Sequence, residues 1–183
     1  MKDEKTKQNK KQEETPSVDQ GQIGQEEKVV RPKDFLKNYV KPHKKKSRPV
    51  IGSDLPTVVR DAHTLYNLCF TRQGDQAGAC AVAHPQINDE SPLRFFVIAD
   101  KQIIINPVIT RHTKTTVKSE EGCTTFPQNK MIKVKRFNKI EVDYQTLDIE
   151  GKLTDVLHAK LDGKMAKIYQ HETDHLNGIY IYD

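Results

Sequence analysis

The 183-residue sequence has no apolar run near the roughly 18 residues that a membrane-spanning helix needs. Its first residues, MKDEKTKQNKKQEE, lack the apolar stretch of a secretory signal. Transit peptides of mitochondria and plastids are rich in arginine and nearly free of acids, whereas this leader is rich in lysine and contains several acids. We therefore expect a soluble cytoplasmic protein with no membrane association.

Cysteine is also scarce. The three cysteines lie at positions 69, 80 and 123, and their odd number and irregular spacing do not suggest a disulfide framework, in keeping with a reducing compartment. Cys69 falls on the apolar face of a predicted helix, and we expect it to pack in the core. Cys123 follows a glycine and precedes two threonines and a phenylalanine-proline pair, a setting typical of a loop or strand end.

The charge is unevenly distributed along the chain. The first fifty residues hold 14 Lys and Arg against 8 Asp and Glu, whereas the remainder holds 16 against 17. The first 30 residues are almost devoid of apolar side chains, so burial cannot offset the entropy of ordering them. We predict a basic, largely disordered extension over residues 1–48 and one domain over residues 49–183. The cluster Lys44-Lys45-Lys46 suits either a solvated linker or an arm that binds ribosomal RNA.

The pattern of apolar residues predicts an α+β fold. Apolar residues at helical spacing between Val58 and Cys69 predict an amphipathic helix, and LRFFVIA, QIIINPVI and the two halves of KIEVDYQTLDIEGKLTDVLHAKL read as strands. Asp162 suits the N-cap of a last helix, and Gly178 suits the position after its end. IYIYD is predicted to close the chain as a short strand. Because helices and strands are segregated, we expect mainly antiparallel sheets wrapped around the C-terminal helix.

The segment QHETDH on that last helix has the spacing of a metal site. His171 and His175 are four residues apart and therefore project from one helix face. Glu172 is offset by about 100°, which lets its carboxylate reach a water without itself binding the metal. This HExxH arrangement supplies two imidazole ligands and one proton shuttle.

The third protein ligand is not evident from this motif alone. The longer metzincin pattern fails, because Ile181 stands where its last histidine belongs. A carboxylate downstream is limited to the terminal Asp183. An upstream thiolate from Cys123 would complete a site with two imidazoles and one open position, and it is the favoured candidate.

Three stretches together resemble the peptide deformylase family. ACAVAHPQI (79–87), EGCTT (121–125) and QHETDHLNG (170–178) occur in the order of that family's Gly-x-Gly-Leu-Ala-Ala-Pro-Gln, Glu-Gly-Cys-Leu-Ser and Gln-His-Glu-x-Asp-His-Leu-Asn-Gly segments. The resemblance covers about residues 49–183. It implies an enzyme that removes the formyl group from N-formylmethionine of nascent polypeptides and releases formate.

The resemblance also implies roles for individual residues. Cys123, His171 and His175 would hold one divalent metal ion, with Fe²⁺ the family-based expectation and Zn²⁺, Ni²⁺ or Co²⁺ also suited to the donors. Glu172 would be general base and then general acid. The side chain of Gln86 and the backbone N–H of Thr124 would stabilise the oxyanion. Asp174 would pair with Arg136.

Several positions depart from the family pattern. Ala79 and Ala81 stand where glycines are usual, in a segment expected to run alongside the bound peptide, and alanine would be strained there at a positive φ. His84 replaces a small alanine, and we expect it to point to solvent. Ile168 shares the helix face of His171 and is expected to wall the methionine pocket.

Two other functions remain open at this point. A deformylase-like fold that binds without turnover is suggested by the altered ACAVAHPQ segment, and a small HExxH metalloprotease would use Asp183 or a residue of a partner protein as its third ligand. The expected partners are the formylmethionyl peptide and, through the basic extension, ribosomal RNA. We expect a monomer.

Overall fold

The computed structural model describes residues 41–70, 81–100, 102–126 and 131–183. Its helices and strands follow one another as α1 (Leu55–Phe70), β1 (Ala81–Ala83), β2 (Phe95–Ile98), β3 (Gln102–His112), β4 (Thr116–Glu121), β5 (Ile132–Phe137), β6 (Lys139–Gln145), β7 (Leu157–Asp162) and α2 (Gly163–Leu176). Short 3₁₀ turns occupy Gly52–Asp54 and His84–Gln86. Within the described part of the chain, no helix is long and apolar enough to span a membrane.

The strands form two antiparallel sheets. Five strands pair in the order β1-β2-β3-β6-β7, and β4 pairs with β5 as a separate two-stranded sheet. The predicted α+β class is confirmed. The structure also confirms the first helix, the burial of Cys69 and the two strands on either side of the DIEG turn.

The five-stranded sheet lies between the two helices, because successive residues of a strand point to opposite faces. Phe95 and Val97 pack with apolar residues of α1, whereas Phe96 and Ile98 pack with apolar residues of α2. All four residues of β2 are therefore buried. This double coverage explains why FFVIA (95–99) is continuously apolar rather than alternating.

The end of α2 is fixed by a Schellman motif. The N–H of Gly178 donates to the carbonyl of His175 at 3.0 Å, and the N–H of Ile179 donates to that of Asp174 at 2.9 Å. Gly178 has a φ of 73°, a left-handed conformation that glycine adopts at little cost. Asp162 occupies the N-cap position at the other end, without a side-chain hydrogen bond to the helix.

The predicted C-terminal strand is wrong. After Gly178 the chain forms a turn, in which the N–H of Tyr180 donates to Asp183 Oδ2 at 2.7 Å and the N–H of Asp183 donates to the carbonyl of Tyr180 at 3.1 Å. The alternation in IYIYD instead reflects one buried tyrosine, Tyr180, beside more exposed neighbours.

Residues 43–48 form a strap across the end of α2. The N–H of Ser47 donates to the carbonyl of Leu176 at 2.9 Å, and His43 Nε2 lies 3.1 Å from the carbonyl oxygen of Pro85. Lys44 forms an ion pair with Asp183. The boundary at residues 48/49 stays a prediction, and residues 1–40 lie outside the described residues.

Among the described glycines, Gly178 is predicted to be the one whose replacement by alanine lowers the free energy of unfolding most. In Gly178→Ala, the new Cβ would lie 2.5 Å from the carbonyl oxygen of Lys44, in addition to the strain of the positive φ. Gly151 is a matched control, because its φ is 77° with nothing within 4 Å of an added Cβ. We expect Gly151→Ala to lower the free energy of unfolding by about 1 kcal/mol and Gly178→Ala by clearly more. Urea denaturation measures both, and equal losses would contradict the contact with Lys44.

Candidate metal centre

The structure brings together the three side chains that the sequence proposed as metal ligands. Cys123 Sγ lies 3.3 Å from His175 Nε2, and His175 Nε2 lies 3.1 Å from His171 Nε2. The three donor atoms lie within 4.8 Å of one another. Cys123 and His175 are buried, and His171 is half-buried.

Two elements place these donors. His171 and His175 project from one face of α2, one turn apart, as the spacing predicted. Cys123 lies directly after β4, at the start of a turn in which the N–H of Phe126 donates to the carbonyl of Cys123 at 3.2 Å. Cys123 and His171 are 48 residues apart in the sequence. Packing of the two-stranded sheet against α2 brings them together.

The arrangement fits a divalent metal. Tetrahedral zinc has bonds of about 2.3 Å to sulfur and about 2.0 Å to nitrogen, which separates sulfur from nitrogen by about 3.5 Å and two nitrogens by about 3.3 Å. The separations of 3.3 Å from Cys123 Sγ to His175 Nε2 and 3.1 Å between the two Nε2 atoms are close to these values. One thiolate and two imidazoles also form the donor set expected for zinc or ferrous iron.

Glu172 is buried next to His171 on the helix that carries two of the donors. Its side chain is 4% exposed, and its Oε2 atom has no hydrogen-bond partner among the described residues. Burial raises the pKa of Glu172 to about 7, although the nearby His171 and Arg136 act in the opposite direction. A buried carboxyl with one free oxygen and a pKa near neutrality is suited to accept and return a proton.

Glu121 is a functional residue that the sequence reasoning missed. Its Oε2 accepts a hydrogen bond from His171 Nδ1 at 3.0 Å, which leaves His171 Nε2 directed at the other two donors. Burial alone would raise the pKa of Glu121, but hydrogen bonds from His171 and Arg136 lower it to about 2. Its position next to Gly122 and Cys123 in the EGC motif was the available signal.

Arg136 joins this network to the helix. Its guanidinium donates through Nε and Nη2 to the carboxylate of Glu121, at 2.9 and 2.8 Å, and through Nη1 to Asp174 at 2.5 Å. The predicted pairing of Asp174 with Arg136 is thus present. Arg136 and Glu121 are largely out of water, whereas the side chain of Asp174 is 30% exposed, so the one guanidinium pairs with two carboxylates at the border of the buried region.

The proposed oxyanion residues lie on the other side of Cys123. Gln86 is buried in the 3₁₀ turn after β1, and its Nε2 donates to Thr124 Oγ1 at 3.0 Å and to Thr125 Oγ1 at 2.8 Å. The expectation that Thr124 acts through its backbone alone therefore omitted a contact made by its side chain. The N–H of Thr124 has no acceptor among the described residues.

His84 does not point to solvent, and that expectation is wrong. Its side chain is 0% exposed, stacks on Phe95, accepts a hydrogen bond at Nδ1 from the N–H of Leu93 at 2.8 Å, and lies 3.1 Å from Asp61 Oδ2 through Nε2. Burial lowers the pKa of His84, against the opposing effect of Asp61. A neutral ring with hydrogen on Nε2 satisfies both contacts, so His84 anchors the turn that carries Gln86.

The remaining predicted positions have mixed outcomes. Ala81 lies in β1 at the edge of the sheet, and it has no positive φ, so the anticipated strain does not arise there. Ala79 lies outside the described residues. Ile168 is half-buried on α2. Asp183 is engaged with Lys44 and the N–H of Tyr180, which argues against its use as the third metal ligand of a protease.

Comparison with known proteins identifies the family. The family model described as Polypeptide deformylase matches residues 33–183. The chain belongs to the peptide deformylase family.

Individual deformylases show how far the similarity extends. The peptide deformylase of Thermotoga neapolitana is 32% identical over 146 residues, covering 76% of this chain and 79% of that protein. The crystal structure of peptide deformylase from Thermotoga maritima superposes with a TM-score of 0.64 at 28% identity, covering 79% of this chain and 95% of that one. The Thermus thermophilus enzyme gives 0.62 at 30% identity, covering 79% and 83%.

Glu121 is predicted to govern metal affinity. In Glu121→Ala, His171 loses the acceptor that orients its ring, and Arg136 loses its main partner. We expect metal affinity to fall about 10- to 100-fold, measured by competition for Zn²⁺ with a chromophoric chelator. Glu120→Ala is the matched control, because the neighbouring Glu120 is exposed and lies outside this network. Equal affinities for the two variants would contradict the role of Glu121.

Proposed function

We propose that this chain removes the formyl group from N-formylmethionine at the start of new polypeptides, releasing formate and a free amino terminus. The observation that carries the proposal is the convergence of Cys123, His171 and His175 beside the unpartnered carboxylate oxygen of Glu172. The family membership identifies the chemistry as metal-dependent hydrolysis of this amide.

The same residues supply the steps of the reaction. Cys123, His171 and His175 would hold a divalent cation, and such an ion would supply the Lewis acidity that makes water a nucleophile at neutral pH and polarises a carbonyl. Glu172 accepts the proton of the attacking water. The N–H of Thr124 and the hydrogen-bonded pair of Gln86 and Thr124 stabilise negative charge that develops on the formyl oxygen. Glu172 then delivers its proton to the amine that leaves.

The substrate is proposed to bind along the edge of the five-stranded sheet. Among the described strands, β1 pairs with β2 alone, so its second side is available for an extended peptide to add as a strand. Ala81 lies on this strand and Ile168 on the same helix face as His171, where it would contact the methionine side chain. Ferrous iron is the proposed native metal on the basis of the family. The Cys/His/His donor set also suits zinc, nickel and cobalt.

Glu172→Gln tests the chemistry directly. The amide keeps the shape of the side chain but cannot take a proton, so we expect formate release from formyl-Met-Ala-Ser to fall by about 10²- to 10⁴-fold. The protein is loaded anaerobically with ferrous iron, and metal content is measured in parallel. Glu90→Gln, at an exposed loop position, should match the parent enzyme.

The outcome for the parent enzyme separates the two remaining functions. Formate release at one equivalent of metal supports the deformylase. A parent protein that holds one equivalent of metal and releases no formate would instead be a binding module with the deformylase fold.

We propose that the enzyme works in the cytoplasm as a monomer near ribosomal RNA. The basic extension over residues 1–48 is one surface for RNA. A second lies on the two-stranded sheet, where Lys118, Lys133 and Lys135 are exposed and Glu120 is the one exposed acid of the two strands. On that sheet Lys118 lies directly opposite Lys135, and both are exposed. Repulsion between such a cross-strand pair is relieved by a bound polyanion.

Binding to ribosomal RNA is expected to depend on both surfaces. Combining Lys45→Glu with Lys46→Glu in the exposed lysine cluster of the extension, or Lys118→Glu with Lys135→Glu, should weaken binding and flatten its dependence on salt, because fewer phosphates are neutralised. Lys152→Glu is the control, since Lys152 pairs with Glu150 outside both surfaces. Filter binding over a range of salt concentrations measures the effect, and variants that bind like the control would contradict the proposal.

A further inference from the structure

The amide of Gln86 has a fixed orientation. Its Oε1 accepts a hydrogen bond from the N–H of Ala83 at 2.7 Å, so Oε1 must face the backbone of β1. The Nε2 side consequently faces the turn after Cys123, and the whole side chain is 2% exposed. Gln86 is therefore a preset donor.

Both hydrogens of this donor are used within the protein. One goes to the hydroxyl of Thr125 at 2.8 Å and the other to the hydroxyl of Thr124 at 3.0 Å. The family motif quoted above has leucine where Thr124 stands, and a leucine would leave one amide hydrogen for the substrate. In this chain a hydroxyl occupies that position.

The hydroxyl of Thr124 still has a hydrogen to give. It accepts from Gln86, and no described residue accepts a hydrogen bond from it. Thr124 is half-buried, whereas Thr125 and Gln86 are buried, so Thr124 is the most accessible of the three. It also follows the proposed metal ligand Cys123 directly in the chain.

We propose that the Thr124 hydroxyl is a catalytic residue that donates a hydrogen bond to the formyl oxygen. Gln86 Nε2–H donates to Thr124 Oγ1, and Thr124 Oγ1–H donates to the oxygen on which charge develops. No bond of either residue breaks in this step. The proposal rests on the deformylase function given above and assigns to that site a donor additional to the backbone N–H of Thr124.

The physical effect comes from coupling the two hydrogen bonds. A hydroxyl that accepts from an amide becomes a stronger donor, because each bond polarises the next. The amide is fixed before the substrate arrives, so little reorganisation is needed when the charge develops. Loss of one such donor typically lowers kcat by about 10²- to 10³-fold.

Two substitutions separate the effect of the Thr124 hydroxyl on kcat from the effect of side-chain shape. Thr124→Val keeps the branching and removes the hydroxyl, and Thr124→Ser keeps the hydroxyl. In the zinc-loaded full chain with formyl-Met-Ala-Ser, we expect Thr124→Val to lower kcat about 10²-fold with KM changed less than about threefold. Thr124→Ser should retain kcat within about threefold. Thr124→Leu, the residue of the family motif, is a second variant without the hydroxyl.

A double-mutant cycle with Gln86→Leu tests the coupling. If Gln86 acts through Thr124, the double variant should lose no more kcat than the more impaired single variant. Multiplied losses would mean independent donors and would overturn the relay. Zinc content and melting temperature, measured for each variant, show that the site and fold are intact.

Other results would also overturn the proposal. An unchanged or increased kcat in both Thr124→Val and Thr124→Leu would mean that the hydroxyl is dispensable or merely withholds Gln86 from the substrate. A parent enzyme that binds zinc and releases no formate would overturn the deformylase function itself. That result differs from a loss confined to the Thr124 variants.

Discussion

A chain of paired charges, centred on the buried Arg136, holds the metal helix against the two-stranded sheet. It runs from Asp174 through Arg136 and Glu121 to His171, and every link is a hydrogen bond of 3.0 Å or less. Buried charges are costly unless each is paired, so this network tolerates few alternative arrangements. It sets the distance between α2 and β4, and that distance decides whether Cys123 reaches the two imidazoles.

The features that depend on local periodicity were predictable from sequence. A spacing of four residues on a helix puts His171 and His175 on one face in any fold. The setting of Cys123 in EGCTT made it the predicted third ligand. Strands β2, β3, β6 and β7 and the α+β class also followed from patterns within short segments, whereas β1, β4 and β5 were not predicted. Gly178 could be predicted as the residue after the helix because the left-handed conformation at a helix end depends on the residue type at that one position.

The features that depend on packing were not predictable in the same way. Glu121 lies within a motif that was recognised, but its role arises from the register of β4 with β5 and the docking of α2. The burial of His84 was missed because its partner Asp61 lies 23 residues away on α1, where no local pattern reveals the contact. The final strand was wrong because alternation of isoleucine and tyrosine does not reveal whether a neighbouring strand is there to pair with it.

The central claim is that one sulfur and two imidazole nitrogens bind a single divalent ion. X-ray absorption spectroscopy at the zinc edge of the zinc-loaded full chain tests it most directly. The account predicts one sulfur scatterer at about 2.3 Å with nitrogen or oxygen scatterers at about 2.0 Å, and loss of the sulfur signal in Cys123→Ser. A spectrum of the parent protein without sulfur in the first coordination sphere would contradict it.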